Sequence, residues 1–100
     1  MNIDDLRTRA GEASKLMKAL SNPRRLMILC ELHKGERSVG NLEGVVGLRQ
    51  SPLSQHLAKL RGDGLVKTRR DGQTIHYSLA DARVRKLIAL LYKLYCPPNC

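Results

Sequence analysis

Two groups of residues in this 100-residue chain carry side chains suited to chemistry. The first is a polar and basic run, Arg49, Gln50, Ser51, Ser54, Gln55, His56 and Lys59, with Arg69, Arg70 and Gln73 further on. Gln matches the donor and acceptor edge of adenine and Arg that of guanine, while Ser and Lys serve phosphates or either base. The second group is the thiols Cys30, Cys96 and Cys100. An odd number of thiols cannot all pair within one chain, so redox chemistry, metal binding and plain packing stay open for them. His33, His56 and His76 fall on three different elements, with no spacing that gathers them as ligands. An enzyme is disfavoured: there is no Gly-rich phosphate loop, no Cys-x-x-Cys and no nucleophile set beside a base.

Charge points to the partner. Eighteen Lys and Arg against nine Asp and Glu leave a net charge of +9, an excess that favours nucleic acid or an anionic membrane surface. Hydrophobic residues at 42% and charged residues at 27% describe one globular domain over residues 1–100. No stretch approaches the roughly 20 apolar residues that cross a bilayer; the longest, residues 87–92, stops at Lys93. Asp4 and Asp5 stand where a signal peptide would carry basic residues. A cytoplasmic protein without membrane contact is the expectation.

The elements that must position these residues follow from periodicity. Leu6, Ala10, Ala13, Leu16, Met17 and Leu20 recur in steps that put them on one face of a helix over residues 4–20. Ser21-Asn22-Pro23 offers a cap and a first-turn proline for a second helix over 23–34, with Leu26, Leu29, Cys30 and His33 in its buried stripe, Met27 beside it and Gly35 at its end. Ser38 opens a short third helix over 39–45 that Gly47 stops. A fourth runs over 51–63, with Leu53, Leu57 and Leu60 inward and Gly64 as its stop. The period then changes to two. Residues 65–70 and 73–79 flank Asp71-Gly72, a two-residue hairpin signal, and Ile75, Tyr77 and Leu79 alternate with His76 and Ser78. Val84, Leu87, Ile88, Leu91, Leu94 and Tyr95 mark a final helix over 81–95.

This order predicts a mainly α fold with a β-hairpin wing, a winged helix-turn-helix. Its reader lies in the major groove with N-terminal side chains at base edges, and the free amides of that helix start attract phosphate. Residues 51–63 take that role, with Arg49 and Gln50 just ahead; Arg69, Arg70 and Gln73 stand on the wing. Double-stranded DNA is therefore the expected partner. A winged helix used only for protein contacts is the competing reading.

Three runs carry a family resemblance: Leu20-Ser21-Asn22-Pro23-Arg24-Arg25-Leu26-Met27-Ile28-Leu29, then Leu48-Arg49-Gln50-Ser51-Pro52-Leu53-Ser54-Gln55-His56-Leu57, then Leu60-Arg61 through Gly64-Leu65-Val66. Together they resemble the ArsR/SmtB family of bacterial repressors over essentially the whole chain. The resemblance implies a homodimer, joined through its first and last helices, on an imperfect inverted repeat of operator DNA. The apolar surface of residues 4–20 and 81–95 agrees, being more than a monomer of this size easily hides.

Family members differ in their inducer. The metal sensors resemble one another in a Cys-x-Cys on the third helix or Asp and His pairs on the last; here Ser38-Val39-Gly40-Asn41-Leu42-Glu43 has neither thiol nor His, and the last helix has Asp81 but no His. Cys30 with Leu94-Tyr95-Cys96-Pro97 instead resembles the BigR/SqrR/YgaV/HlyU dithiol subgroup. That implies a repressor without cofactor or resident metal, released from DNA when reactive sulfur species or oxidants bridge Cys30 to Cys96. A disulfide needs Cα atoms about 4.4–6.8 Å apart, so thiols held farther apart would favour a bridge with inserted sulfurs over a direct one. Such a bridge closes a loop worth about 4 kcal/mol of unfolded-state entropy, a ceiling above the usual coupling of about 1–3 kcal/mol. Both thiols sit toward helix C-termini, where the dipole disfavours thiolate; Lys34 and Lys93 are placed to offset this. Two alternatives remain: an activator or constitutive regulator without redox release, and a metal or arsenite sensor using Cys30, Cys96 and Cys100.

Overall fold

Short polar side chains start most of the helices in the computed structural model, which describes residues 1–95. Asn2 Oδ1 accepts from the Asp5 amide at 2.8 Å to open α1 (Ile3–Leu20). Asn22 Oδ1 accepts from the Arg24 and Arg25 amides at 2.9 and 3.2 Å, and Pro23 begins α2 (Pro23–Lys34) without wasting a donor. Ser38 Oγ caps α3 (Val39–Val46) through the Asn41 amide at 3.3 Å. The Asp81 carboxylate accepts from the Arg83 amide at 2.7 Å at the start of α5 (Ala82–Tyr95). The remaining helix, α4 (Gln50–Gly62), begins at Arg49 with no side-chain cap, so its first amides stay open.

The chain order is α1, α2, β1 (Arg37–Ser38), α3, α4, β2 (Val66–Asp71), β3 (Thr74–Leu79), α5. Five helices and a hairpin wing match the expected winged helix-turn-helix, with most boundaries within a residue or two. Leu29, Leu32, Leu42, Leu53, Leu57, Leu60, Val84 and Ile88 form the centre of the core, and α2 lies in its middle, packed on α1, α3, α4 and α5.

Three expectations need correction. The sheet has three strands in the order β1-β3-β2, because Arg37 and Ser38 pair antiparallel with Tyr77 and His76; two residues are too few to show a period-two pattern. The hairpin loop is Gly72-Gln73 rather than Asp71-Gly72, since Asp71 pairs with Thr74 across the last rung. Gly72 has φ +62° while Gln73 stays negative, the sign pattern of a type II′ turn, which needs glycine only at its first central position. The buried stripe of α2 is Ile28, Leu29 and Leu32, which leaves Leu26, Cys30 and His33 half-buried and Met27 exposed. A helix packed on several sides is not described by one stripe. The terminal helices keep the open apolar surface expected of them: α1 buries only Ala19 and Leu20; Ile3, Leu6 and Met17 are 61%, 52% and 58% exposed, and on α5 Leu90, Leu94 and Tyr95 lie open in the same way.

Candidate nucleic-acid interface and thiol site

Leu53, Leu57 and Leu60 are buried and anchor α4 in the core. Helical spacing then fixes what lies on its far side: Ser51, Ser54, Gln55 and Lys59 are exposed, with Arg49 and Gln50 exposed just ahead of them. His56 is half-buried and stands apart from that row. The uncapped first turn adds backbone donors and the positive end of the helix dipole to the same place. Lys59 Nζ is 3.4 Å from Asp63 Oδ1, one turn on, an exposed pair that water and a phosphate can replace.

The approach to α4 is fixed from behind. Arg24 Nη1 donates to the Val46 carbonyl oxygen at 2.7 Å, closing the last turn of α3. Gly47 follows at φ +73°, the left-handed position that ends α3 and turns the chain toward Arg49. α3, this turn and α4 therefore form a helix-turn-helix whose second helix presents its polar face outward.

On the wing, Arg70 and Gln73 are exposed at and beside the hairpin tip, and among the described residues no carboxylate lies within salt-bridge distance of Arg70. Arg69 is placed differently. Its Nη2 is 2.7 Å from Glu36 Oε1, and its Nε is 3.0 Å from both Glu36 oxygens. The guanidinium holds the Glu36 carboxyl below the usual carboxylate range, and the carboxylate raises Arg69 in turn. Sequence reading gave no role to Glu36 or to Arg24, although Arg24 stands in the first of the family-like runs, since each acts on a residue far along the chain.

Cys30 is half-buried on α2, against the core. Desolvation pushes its thiol up, Lys34 one turn on pulls it back and Glu31 pushes it further up. Lys34 Nζ also lies 3.3 Å from Glu31 Oε2, so part of its charge is already spent. α2 packs on α5 here: the His33 and Tyr92 rings are 6.3 Å apart, and His33 Nδ1 is buried with no hydrogen-bond partner among the described residues. Cys96 and Cys100 lie outside the described residues. Among the described residues no cluster of three or more His, Cys, Asp or Glu is placed to hold a metal ion, and no helix is long and apolar enough to cross a membrane.

A reading helix held by a leucine face, a tight turn before it and a basic hairpin beside it define a winged helix-turn-helix DNA-binding domain. Residues 22–68 match the family of bacterial regulatory proteins described as the arsR family. The transcriptional activator HlyU of Vibrio cholerae is 48% identical over 99 residues, covering 99% of this chain and 92% of that protein. Its reduced structure superposes with a TM-score of 0.92 at 47% identity, over 95% of this chain and 100% of that one. The biofilm growth-associated repressor of Xylella fastidiosa is 45% identical over 96 residues, 96% of this chain and 84% of that protein. A homodimeric winged helix-turn-helix DNA-binding domain of Mycobacterium bovis has a TM-score of 0.79 at 33% identity, over 93% of this chain and 86% of that one. The chain belongs to the arsR family of bacterial transcriptional regulators. It is a DNA-binding regulator and not an enzyme.

Proposed function

We propose that the protein is a homodimeric repressor that binds an inverted-repeat operator and is released when sulfur species or oxidants modify Cys30 together with Cys96. The observation that carries the DNA half is the rigid outward display of Ser51, Ser54, Gln55 and Lys59 on a helix anchored by three buried leucines. Gln55 reads a base edge; Arg49, Gln50, Ser51, Ser54 and Lys59 divide between bases and phosphates; Arg70 and Gln73 reach from the wing. The exposed apolar faces of α1 and α5, together with the homodimeric relative, support a two-fold pair through those helices. Such a pair sets its reading helices about 34 Å apart, one turn of DNA.

The sensing half rests on Cys30. It is half-buried on a helix that packs against α5, and Cys96 follows directly on the last residue of α5. One thiolate attacks a sulfane sulfur of a polysulfide and displaces hydrosulfide, and the second thiol then attacks the protein-bound sulfur. The two thiols give up two protons and two electrons, which leave with the reduced sulfur as hydrosulfide, and a bridge with zero, one or more inserted sulfurs remains. Bridging joins α2 to the end of α5, the helix that completes the dimer, and so alters the spacing of the reading helices.

Titration of a duplex selected from a random library tests the DNA half. A binder with 6–10 phosphate contacts loses about 10³–10⁵ in affinity between 50 and 200 mM salt, whereas a protein-contact module shows no such loss. An activator role is favoured by the 48% identity to a protein named as an activator. It separates from the repressor reading by persistence of the DNA complex after thiol modification.

A further inference from the structure

The outer end of the wing has thin support, and one ion pair stands at its root. β1 covers β3 only at Tyr77 and His76, so the sheet is three-stranded for two rungs and two-stranded beyond. The last three-stranded rung is Ser38, His76 and Arg69; past it only Arg70 with Ile75 and Asp71 with Thr74 remain. A free two-stranded ribbon is marginal in water and twists readily. At that last rung the Arg69 side chain does not follow the hairpin to its tip. It runs from one edge strand past the central strand to Glu36, in the segment just before the other edge strand, and grips both carboxylate oxygens. Lys67 adds positive charge around Glu36, yet the bidentate partner is Arg69.

We propose that the Glu36–Arg69 pair is a tie that fixes the angle of the wing to α4, making Arg69 a positioning residue while Arg70 makes the phosphate contact. A bidentate guanidinium–carboxylate pair has a defined plane and reach, so it sets direction where a single lysine would not. Being exposed, it is worth little to global stability. Its effect is read where geometry matters, in the fit of Arg70 and Gln73 to a duplex while α4 is seated in the groove.

The test uses full-length Arg69→Gln, Glu36→Gln, the double variant, the exchanged pair Glu36→Arg with Arg69→Glu, and Arg70→Gln as comparator. Binding to a duplex selected by the unaltered protein is measured at several salt concentrations. Arg69→Gln and Glu36→Gln should each weaken binding roughly two- to fivefold, the span of an exposed pair. The double variant should be no worse than either single one, and the exchanged pair should recover most of the loss. Arg70→Gln should lower the salt slope by about 1, and Arg69→Gln should leave it unchanged. In the DNA-free protein, amide exchange over residues 70–75 should quicken in both single variants while thermal unfolding hardly moves. Tighter binding by Glu36→Gln, with a slope about 1 lower for Arg69→Gln, would mean that Arg69 is a phosphate contact masked by Glu36 and would overturn the proposal. So would unchanged exchange over residues 70–75.

Discussion

Arg24 Nη1 and the Val46 carbonyl oxygen, 2.7 Å apart, join the first turn of α2 to the last turn of α3. The bond satisfies an orphan carbonyl at a helix end and fixes where Gly47 turns the chain. Arg24→Ala should cost about 1 kcal/mol, or roughly 4–8 °C in Tm for a domain of this size. It should also weaken binding to a selected duplex more than to random DNA, because the reading helix loses its fixed entry. Thermal unfolding and paired binding curves check this; equal losses on both duplexes would leave the bond a stability feature only.

Gln55→Ala and Arg70→Ala should fail differently. Gln55 lies on the exposed face of α4, and its loss should cost about 1–3 kcal/mol on the selected duplex with little change on random DNA. Arg70→Ala should weaken both alike and reduce the salt slope by about 1. Indistinguishable behaviour of the two variants would remove Gln55 as a base reader.

Dimerisation should depend on the exposed apolar faces of α1 and α5. Leu6 and Leu94 are 52% and 65% exposed, so Leu6→Glu or Leu94→Glu costs a monomer little and a dimer a great deal. Analytical ultracentrifugation should show a dimer for the unaltered protein and a monomer for each variant, with DNA binding lost in step. A dimer that survives both substitutions would place the interface elsewhere.

The reactivity of Cys30 should follow its burial. Desolvation raises the thiol, so at neutral pH it holds less thiolate than a free cysteine, and the thiolate is the nucleophile. Alkylation of Cys30 should therefore be slower than that of a free thiol at pH 7 and should keep rising with pH beyond the ordinary thiol range. Lys34→Gln removes the charge that favours thiolate and should slow it further. Rates matched to a free thiol at pH 7 would show that the thiol stands in water.

Much of this was legible in the sequence because it is local. Pro23 and Ser38 at helix starts, Gly47 at a helix end and the leucine spacing of α4 each act within a turn or two. Gln55 and its neighbours could be placed on the outer face from the three leucines alone. What escaped is long-range. β1 exists only because β3 offers it an edge, and the Glu36–Arg69 grip joins residues 33 positions apart. The hairpin shifted by one residue because Asp-Gly suits a turn with two positive φ values, whereas the loop formed around Gly72 alone. α2 was misjudged because a helix with neighbours on several sides has no single buried stripe.

The most direct test of the whole account is intact-protein mass spectrometry of reduced protein after hydropersulfide and, separately, peroxide, paired with DNA binding on the same samples. The account predicts a bridge between Cys30 and Cys96, seen as loss of two hydrogens with or without whole added sulfur atoms, together with loss of DNA affinity. Cys30→Ser and Cys96→Ser should each bind DNA normally and fail to release. Unmodified thiols, modification that leaves the DNA complex intact, or normal release by either variant would contradict it.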